Sequence, residues 1–473
     1  MNKHKAIFPF LAFAAIAALL WLLQEYAHVN FPGLTFYRPE ETVFVSLLAV
    51  SRWLAIAALI YYGFRRKSLT VWIIVGMVAG AEIGHDAPKI AGTLQVLSSI
   101  FLHLVKAIIA PLIFSTLVVG IASHPDLKQV GRMGIKALVY FELVTTLALF
   151  IGLGAANLTR AGEGVSPPAN AASAATAVSA PPQKWTDILL HVFPENIAKS
   201  VAEGQILQVV VFAILFAIAL SMVREEKRKP MLAFCESLSE TMFKFTNIVM
   251  LFAPIGVLGA MAYTVGTMGF GVLTNLLKLL LTLYGALVVF AVCVLLPIAL
   301  LARVPIKRFA KAVAEPFSIA FATATSEAAL PRAMENMETL GVPKKIVAFV
   351  LPTGYSFNLD GSTLYQSLAA MFVAQAAGVH LTFGQQILIV LTLMVTSKGT
   401  AGIPRSSLVI LLATVDSFHL PMWPVLVILG IDQFMDMGRT SINVLGNCLA
   451  TVVIARWEGE FPDKKELSSA QET

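Results

Sequence analysis

Long apolar runs separated by short basic clusters dominate this chain. Runs at roughly 7–24, 43–63, 69–85, 94–122, 131–158, 206–223, 232–264 and 271–302 are each about long enough to cross a bilayer as a helix. The basic clusters Arg65–Lys67, Lys128–Lys136, Arg224–Lys229 and Arg303–Lys311 fall on one side if these runs alternate across it. An excess of Lys and Arg marks the cytoplasmic side, so that side is expected to be cytoplasmic.

After residue 302 the pattern changes. Ala312–Pro331 has about the length of a span but carries Glu315, Pro316, Thr323, Thr325, Ser326 and Glu327. It is flanked by basic residues at both ends, which predicts a re-entrant hairpin, at about 306–340. Ile387–Val395 and Leu408–Ala413 are apolar arms too short to cross singly, with Ser397–Ser406 between them and no basic residues outside. They predict a second hairpin, at about 382–418, entering from the opposite side. Between the hairpins, the segment 346–377 is interrupted by Thr353–Ser362. Hairpin, helix, hairpin, helix from opposite sides is an inverted repeat. Interrupted segments in matching positions of two halves point to a transport site near the membrane midplane.

The last apolar segment, Met422–Trp457, holds a polar stripe of Asp432, Asp436, Arg439, Asn443 and Asn447. At about 100° per residue these five fall within an arc of roughly 80°. An ionisable group in a membrane helix costs on the order of 2.5–3.5 kcal/mol, so such groups face a cavity or one another. A whole stripe reads as a binding surface for a small, polar, charged molecule.

Composition agrees with this reading. Of 473 residues 57% are hydrophobic and only 13% charged, which excludes an ordinary soluble domain and predicts an all-α polytopic membrane protein. The net charge of +6 lies mostly in short loops, where it sets topology, and gives no reason to expect a nucleic-acid partner. Cys235, Cys293 and Cys448 are far apart and show no metal or redox spacing. The run 7–23 follows Lys3, His4 and Lys5 but lacks a small-x-small site after it, so a retained helix is expected rather than a cleaved signal. The Ala-, Ser- and Pro-rich stretch 161–182 reads as a flexible external loop. No nucleophile–base motif or paired metal-binding histidines appear, so enzymatic chemistry is not expected.

Four motifs carry a family resemblance. They are Thr325-Ser326-Glu327 with Leu330-Pro331, Asn358-Leu359-Asp360-Gly361-Ser362, Gly399-Thr400-Ala401-Gly402-Ile403-Pro404, and Asp436-Met437-Gly438-Arg439-Thr440 with Asn443. In that order they resemble the dicarboxylate/amino acid:cation symporters, which include the glutamate transporters, over about residues 69–461. The resemblance implies an inverted-repeat elevator transporter with two re-entrant hairpins, assembled as a homotrimer in the bacterial inner membrane. Residues 69–265 would be mainly scaffold and trimerisation helices, with 131–158 packing on the transport domain, and 266–461 the transport core. Residues 1–68 would be an extension of two extra helices, leaving the N-terminus cytoplasmic, with 462–473 a cytoplasmic tail.

By the same resemblance, Arg439 would hold a substrate carboxylate, since its planar fork binds carboxylates bidentately. A structural pair with Asp436 is the competing reading. Asp436 matches an aspartate that takes the α-ammonium of amino-acid substrates, and Asn443 a donor to the α-carboxylate. Thr325, Ser326, Glu327, Ser362, Gly402, Ile403, Pro404 and Thr440 complete the implied substrate set. Asn358 and Asp360 interrupt a helix, and such oxygen ligands suit Na⁺. The resemblance adds Thr145, Thr146, Gly354, Ser356, Asn443 and Asn447 to the cation residues, though either threonine could simply bond back to its own helix. Glu142 stands where sodium-coupled relatives have tyrosine and is the candidate proton carrier, if buried. Glu327 resembles an acid of C4-dicarboxylate carriers and pulls against Asp436. Glu327 and Arg405 form a candidate gate pair. The expected function is uptake of glutamate or aspartate with Na⁺, H⁺ or both as coupling ions and no cofactor. The alternatives are a C4-dicarboxylate symporter and, more remotely, an anion channel on the same fold.

Overall fold

A computed structural model of the chain describes residues 43–122, 129–165, 193–203, 206–397 and 406–461. The expected first helix at 7–24, most of the loop at 161–182, the tail 462–473 and the motif Gly399–Pro404 with Arg405 lie outside the described residues. Those described are all-helical, with no strand among them.

The helices are α1 (Val43–Arg66), α2 (Leu69–Asp86), α3 (Pro88–Thr93), α4 (Gln95–Ala122) and α5 (Gln129–Thr159). There follow α6 (Ile197–Ala202), α7 (Ile206–Met222), α8 (Glu225–Met250) and α9 (Ala253–Met268). Next come α10 (Gly271–Phe290), a π-helical turn (Ala291–Leu295) and α11 (Leu296–Leu301). The remainder is α12 (Ile306–Thr323), α13 (Ser326–Thr339), α14 (Lys344–Phe357), α15 (Asp360–Ala376), α16 (Phe383–Thr396), α17 (Ser406–Ser417), α18 (Trp423–Leu429) and α19 (Asp432–Trp457). Segments 69–86, 88–119, 133–159 and 271–301 are long and apolar enough to cross a membrane.

One expected span is bent: α8 and α9 are together long and apolar enough to cross, with a 49° bend between them. The run at 232–264 is two helices, α8 and α9, because Pro254 sits in the first turn of α9. Proline has no N–H for a helix interior and its ring clashes with the carbonyl four residues back, whereas the first turn tolerates it. The two halves also fall into different compact units.

The first unit takes in Met1–Phe101 and Leu251–Gly269. Here α2 lies against α9 along Gly76, Gly80 and Gly84, whose missing side chains leave room for the carbonyls of Pro254, Leu258 and Ala262. Small residues four apart let membrane helices approach this closely. The extra helix α1 docks on α2 through charge. Arg52 Nε lies 2.5 Å from Glu82 Oε1, its Nη2 donates to Asp86 Oδ1 at 3.0 Å, and Trp53 Nε1 donates to Asp86 Oδ2 at 2.8 Å.

The second unit, Leu102–Met250 with Phe270–Thr473, gathers helices expected of both scaffold and transport core. Its interior is built on α15, buried at every position except Gln375, and on α19. Ser367 Oγ donates to Leu149 O at 2.8 Å and Gln375 Nε2 to Ala156 O at 3.0 Å, fixing α15 to α5. Ser441 of α19 donates to Phe317 O of α12 at 3.4 Å, and Tyr284 of α10 donates to Phe434 O at 2.9 Å. Lys136 clamps the far end of α19, 2.7 Å from both Trp457 O and Glu458 Oε1. Helices α12 and α13 form a hairpin turning at Ala324, whose left-handed backbone (φ 52°) ends the first arm.

Candidate functional site

The polar stripe of α19 is buried as a set. Asp432, Arg439 and Asn447 are fully buried, with Asp436 and Asn443 nearly so. Arg439 stands at its centre. Its Nε donates to Asp436 Oδ1 at 2.8 Å and its Nη1 to Asp432 Oδ1 at 3.1 Å. The guanidinium carbon lies 4.1 Å from the centre of the Tyr365 ring, and the Tyr365 hydroxyl donates to Asp432 at 3.3 Å. Thr440 Oγ1 donates to Asp436 Oδ1 at 3.2 Å. The cation is thus fixed in direction by two carboxylates of its own helix and by an aromatic face from α15. Its Nη2 makes no hydrogen bond among the described residues. A buried donor left unpaired costs about 1–3 kcal/mol, and more when charged. It is therefore a ready partner for an incoming carboxylate.

The pairing of Arg439 with Asp436 foreseen as a competing reading is present, and Asp432 joins it. Sequence reasoning placed Asp432 in the stripe but gave it no role. Tyr365 it missed altogether, and no pattern in α15 marks this tyrosine out.

A second cluster forms where α14 stops and α15 begins. The interruption is narrower than the expected Thr353–Ser362: only Asn358 and Leu359 are non-helical. Asn443 explains the early restart. Its Oδ1 accepts from Gly361 N at 2.8 Å and Ser362 N at 3.2 Å, capping α15 from another helix, while its Nδ2 donates to Ser362 Oγ at 2.9 Å. Asn443 accordingly spends its amide on helix–helix bonds.

Asn358 Nδ2 donates to Asp360 Oδ2 and to Asn447 Oδ1, both at 3.2 Å, and Asn447 Nδ2 returns a bond to Asn358 O at 3.2 Å. Asn358 Oδ1 is buried with no hydrogen-bond partner among the described residues. Two glycines make the space. A Cβ at Gly354 would overlap Asn447 Oδ1, and one at Gly446 would overlap Asp360 Oδ2. The cluster is a buried nest of side-chain and backbone oxygens, chemistry that suits a hard monovalent cation.

Other sequence-predicted residues are placed less centrally. Thr145 is buried, but its hydroxyl donates to Phe141 O at 2.7 Å, the local back-bond, and Thr146 is half-buried. Glu142 is only half-buried, not enclosed as a candidate proton carrier was expected to be. At the hairpin turn Ser326 is buried, Thr325 bonds locally to Thr323 Oγ1 at 3.2 Å, and Glu327 is exposed. Gly402, Ile403, Pro404 and Arg405 lie outside the described residues, as does the side chain of Ser356, so the gate pair of Glu327 and Arg405 is not seen.

The profile of the sodium:dicarboxylate symporter family matches residues 69–457, which takes in both clusters. The chain belongs to the sodium:dicarboxylate symporter family. It is 42% identical to the proton/glutamate-aspartate symporter of Escherichia coli K12 over 420 residues, 86% of this chain and 96% of the relative. It is 41% identical to the proton/sodium-glutamate symport protein of Bacillus subtilis over 412 residues, 85% of this chain and 96% of the relative. The C4-dicarboxylate transport protein of Paraburkholderia phymatum is 42% identical over 409 residues, 85% of this chain and 96% of the relative. As a member of a symporter family the chain is a multi-pass membrane transporter for a small acidic substrate, not an enzyme. Identity does not choose between amino acid and dicarboxylate, since both kinds of relative stand at 42%.

Proposed function

We propose that this symporter takes up an acidic amino acid, glutamate or aspartate, together with Na⁺, H⁺ or both. The observation that carries the choice of substrate is the double carboxylate on Arg439. Two carboxylates, Asp432 and Asp436, stand 3.1 and 2.8 Å from the one guanidinium of Arg439. A C4-dicarboxylate would bring two more negative charges into that low-dielectric space with no cation of its own. An acidic amino acid brings an ammonium that can meet Asp436 while its side-chain carboxylate takes Arg439 Nη2. Glu327, the residue favouring a dicarboxylate, is exposed.

The substrate still enters with net negative charge, which gives the coupled cation its role. The Asn358–Asp360–Asn447 nest lies between the start of α15 and α19, which Asn443 also joins. A Na⁺ bound there would offset the substrate's charge within the same packed core. For the H⁺-driven alternative the proposed proton site is Glu142, half-buried on α5 and not enclosed. In this reading α12–α13 and α16–α17 are re-entrant hairpins, the second unit contains the moving part of an elevator, and the assembly is a homotrimer with cytoplasmic termini.

The deciding experiment is uptake of radiolabelled L-aspartate, L-glutamate and succinate into proteoliposomes under a Na⁺ gradient or a pH gradient imposed separately. Amino-acid uptake driven by either gradient, and lost in Asp436→Asn, is expected. Succinate uptake without amino-acid uptake would overturn the substrate assignment, and an uncoupled anion current alone would overturn symport.

A further inference from the structure

An elongated apolar groove of about 260 Å³ lies on the side of α19 away from the polar stripe. Its walls include Ala291 and Leu295 of the π-helical turn, Phe309 and Phe317 of α12, and Leu445 and Leu449 of α19. Exposed Ala310 and Ala314 keep its floor low. From Ile306 to Phe317 the α12 wall runs roughly 16 Å at 1.5 Å per residue.

The α12 rim of the groove is basic. On α12, Lys307 and Lys311 are exposed and sit within about 60° of Ala314 around the helix, flanking the apolar strip. Neither lysine has an ion-pair partner among the described residues. On α19, Arg456 follows Leu445 and Leu449 on the same face, and its Nη2 donates to the backbone O of Arg303 at 3.4 Å. The belonging of these helices to a membrane protein makes the occupant a lipid, and the charge selects which lipid.

We propose that the groove is a binding site for an anionic phospholipid. One acyl chain lies along α12 between the π-helical turn and Leu445, and the phosphate is held by Lys307 and Lys311. An apolar channel flanked by two exposed lysines matches that molecule and discriminates against zwitterionic lipids. The site stands directly behind the helix that carries Arg439, so its occupancy braces α19.

The test uses the full chain in phosphatidylethanolamine vesicles doped with phosphatidylglycerol bearing a photoreactive diazirine on one chain, with adducts mapped by mass spectrometry. Adducts on 291–299, 306–317 or 445–449 are expected, competed by unlabelled phosphatidylglycerol and not by phosphatidylethanolamine. In Lys307→Gln/Lys311→Gln they should fall roughly tenfold or more, and Ala314→Phe should remove them by filling the floor. Equal labelling by a phosphatidylethanolamine probe, or adducts insensitive to competition, would mean ordinary surrounding lipid and overturn the site. The competition on the unaltered chain decides even if a variant fails to fold.

Discussion

Arg439 has the largest fully buried side chain among the described residues, and its chemistry depends on direction as much as on charge. Lysine at this position would keep one positive charge beside Asp432 and Asp436 but would lose the fork. Arg439→Lys is therefore expected to fold normally and to lose uptake by about a hundredfold, since it forfeits a bidentate charged bond and ring stacking together. Asp432→Asn removes one of the two carboxylates that aim the guanidinium without touching the substrate-facing Nη2. Its expected effect is a rise in KM of roughly tenfold, the difference between a charged and a neutral hydrogen bond. Tyr365→Phe keeps the ring and should stay within about threefold of the unaltered chain, whereas Tyr365→Leu loses a desolvated cation–π contact worth about 2 kcal/mol. Initial-rate uptake normalised to surface-exposed protein separates these cases, and equal losses in the phenylalanine and leucine variants would argue against the stacking. The α19 members of this group were legible because 100° per residue fixes a helix face from spacing alone. Tyr365 was not, because it reaches Asp432 from 67 residues away, and only packing brings the two together.

At the scale of elements, the decisive feature is a two-residue gap stitched by side chains from another helix. Gly446 faces the Asp360 carboxylate so closely that any side chain must displace it. Gly446→Ala is expected to abolish Na⁺-dependent uptake, because the nest around Asn358 has no room to relax. Gly285, in α10, has open space where a Cβ would go, so Gly285→Ala should be silent for transport and slightly stabilising, by about 0.5–1 kcal/mol. Asn443→Ala strips the acceptor from two N–H groups at the start of α15, and should cost about 1–3 kcal/mol in thermal unfolding as well as uptake. If Asn443→Ala lost uptake with its melting temperature unchanged, its place would be at the substrate and not at the helix start. The sequence pattern showed that 346–377 is interrupted, from the polar and glycine-containing run, but overestimated the interruption. Glycines and hydroxyls in that run look like loop until Asn443 supplies the missing cap. The bend between α8 and α9 within one expected span has the opposite cause: hydropathy runs on through Pro254, where a continuous helix does not.

For the whole molecule, the open question is what the segment before residue 69 contributes, since the family match starts there. Hydropathy predicted a helix at 43–63, and α1 occupies that stretch, but a generic lipid-facing role was the most its apolar pattern could support. The structure adds a specific tie. Glu82, buried in α2, and Asp86 at its end share the single guanidinium of Arg52, and Trp53 completes the contact. Glu82 is a costly residue inside a membrane helix unless a cation accompanies it, and α1 provides that cation. Helix α1 is therefore part of how this chain stabilises α2. Arg52→Ala should weaken the docking of α1 by about 1–3 kcal/mol, the range for hydrogen bonds to charged groups, with a lower melting temperature and faster proteolysis near residues 65–68. Arg52→Glu should be worse, because three acids would then face one another. Combining it with Glu82→Arg restores one opposite-charge pair across the same two helices. Recovery of protease resistance in the double variant, absent from either single variant, would establish the tie, whereas additive losses would return α1 to a purely lipid-facing role.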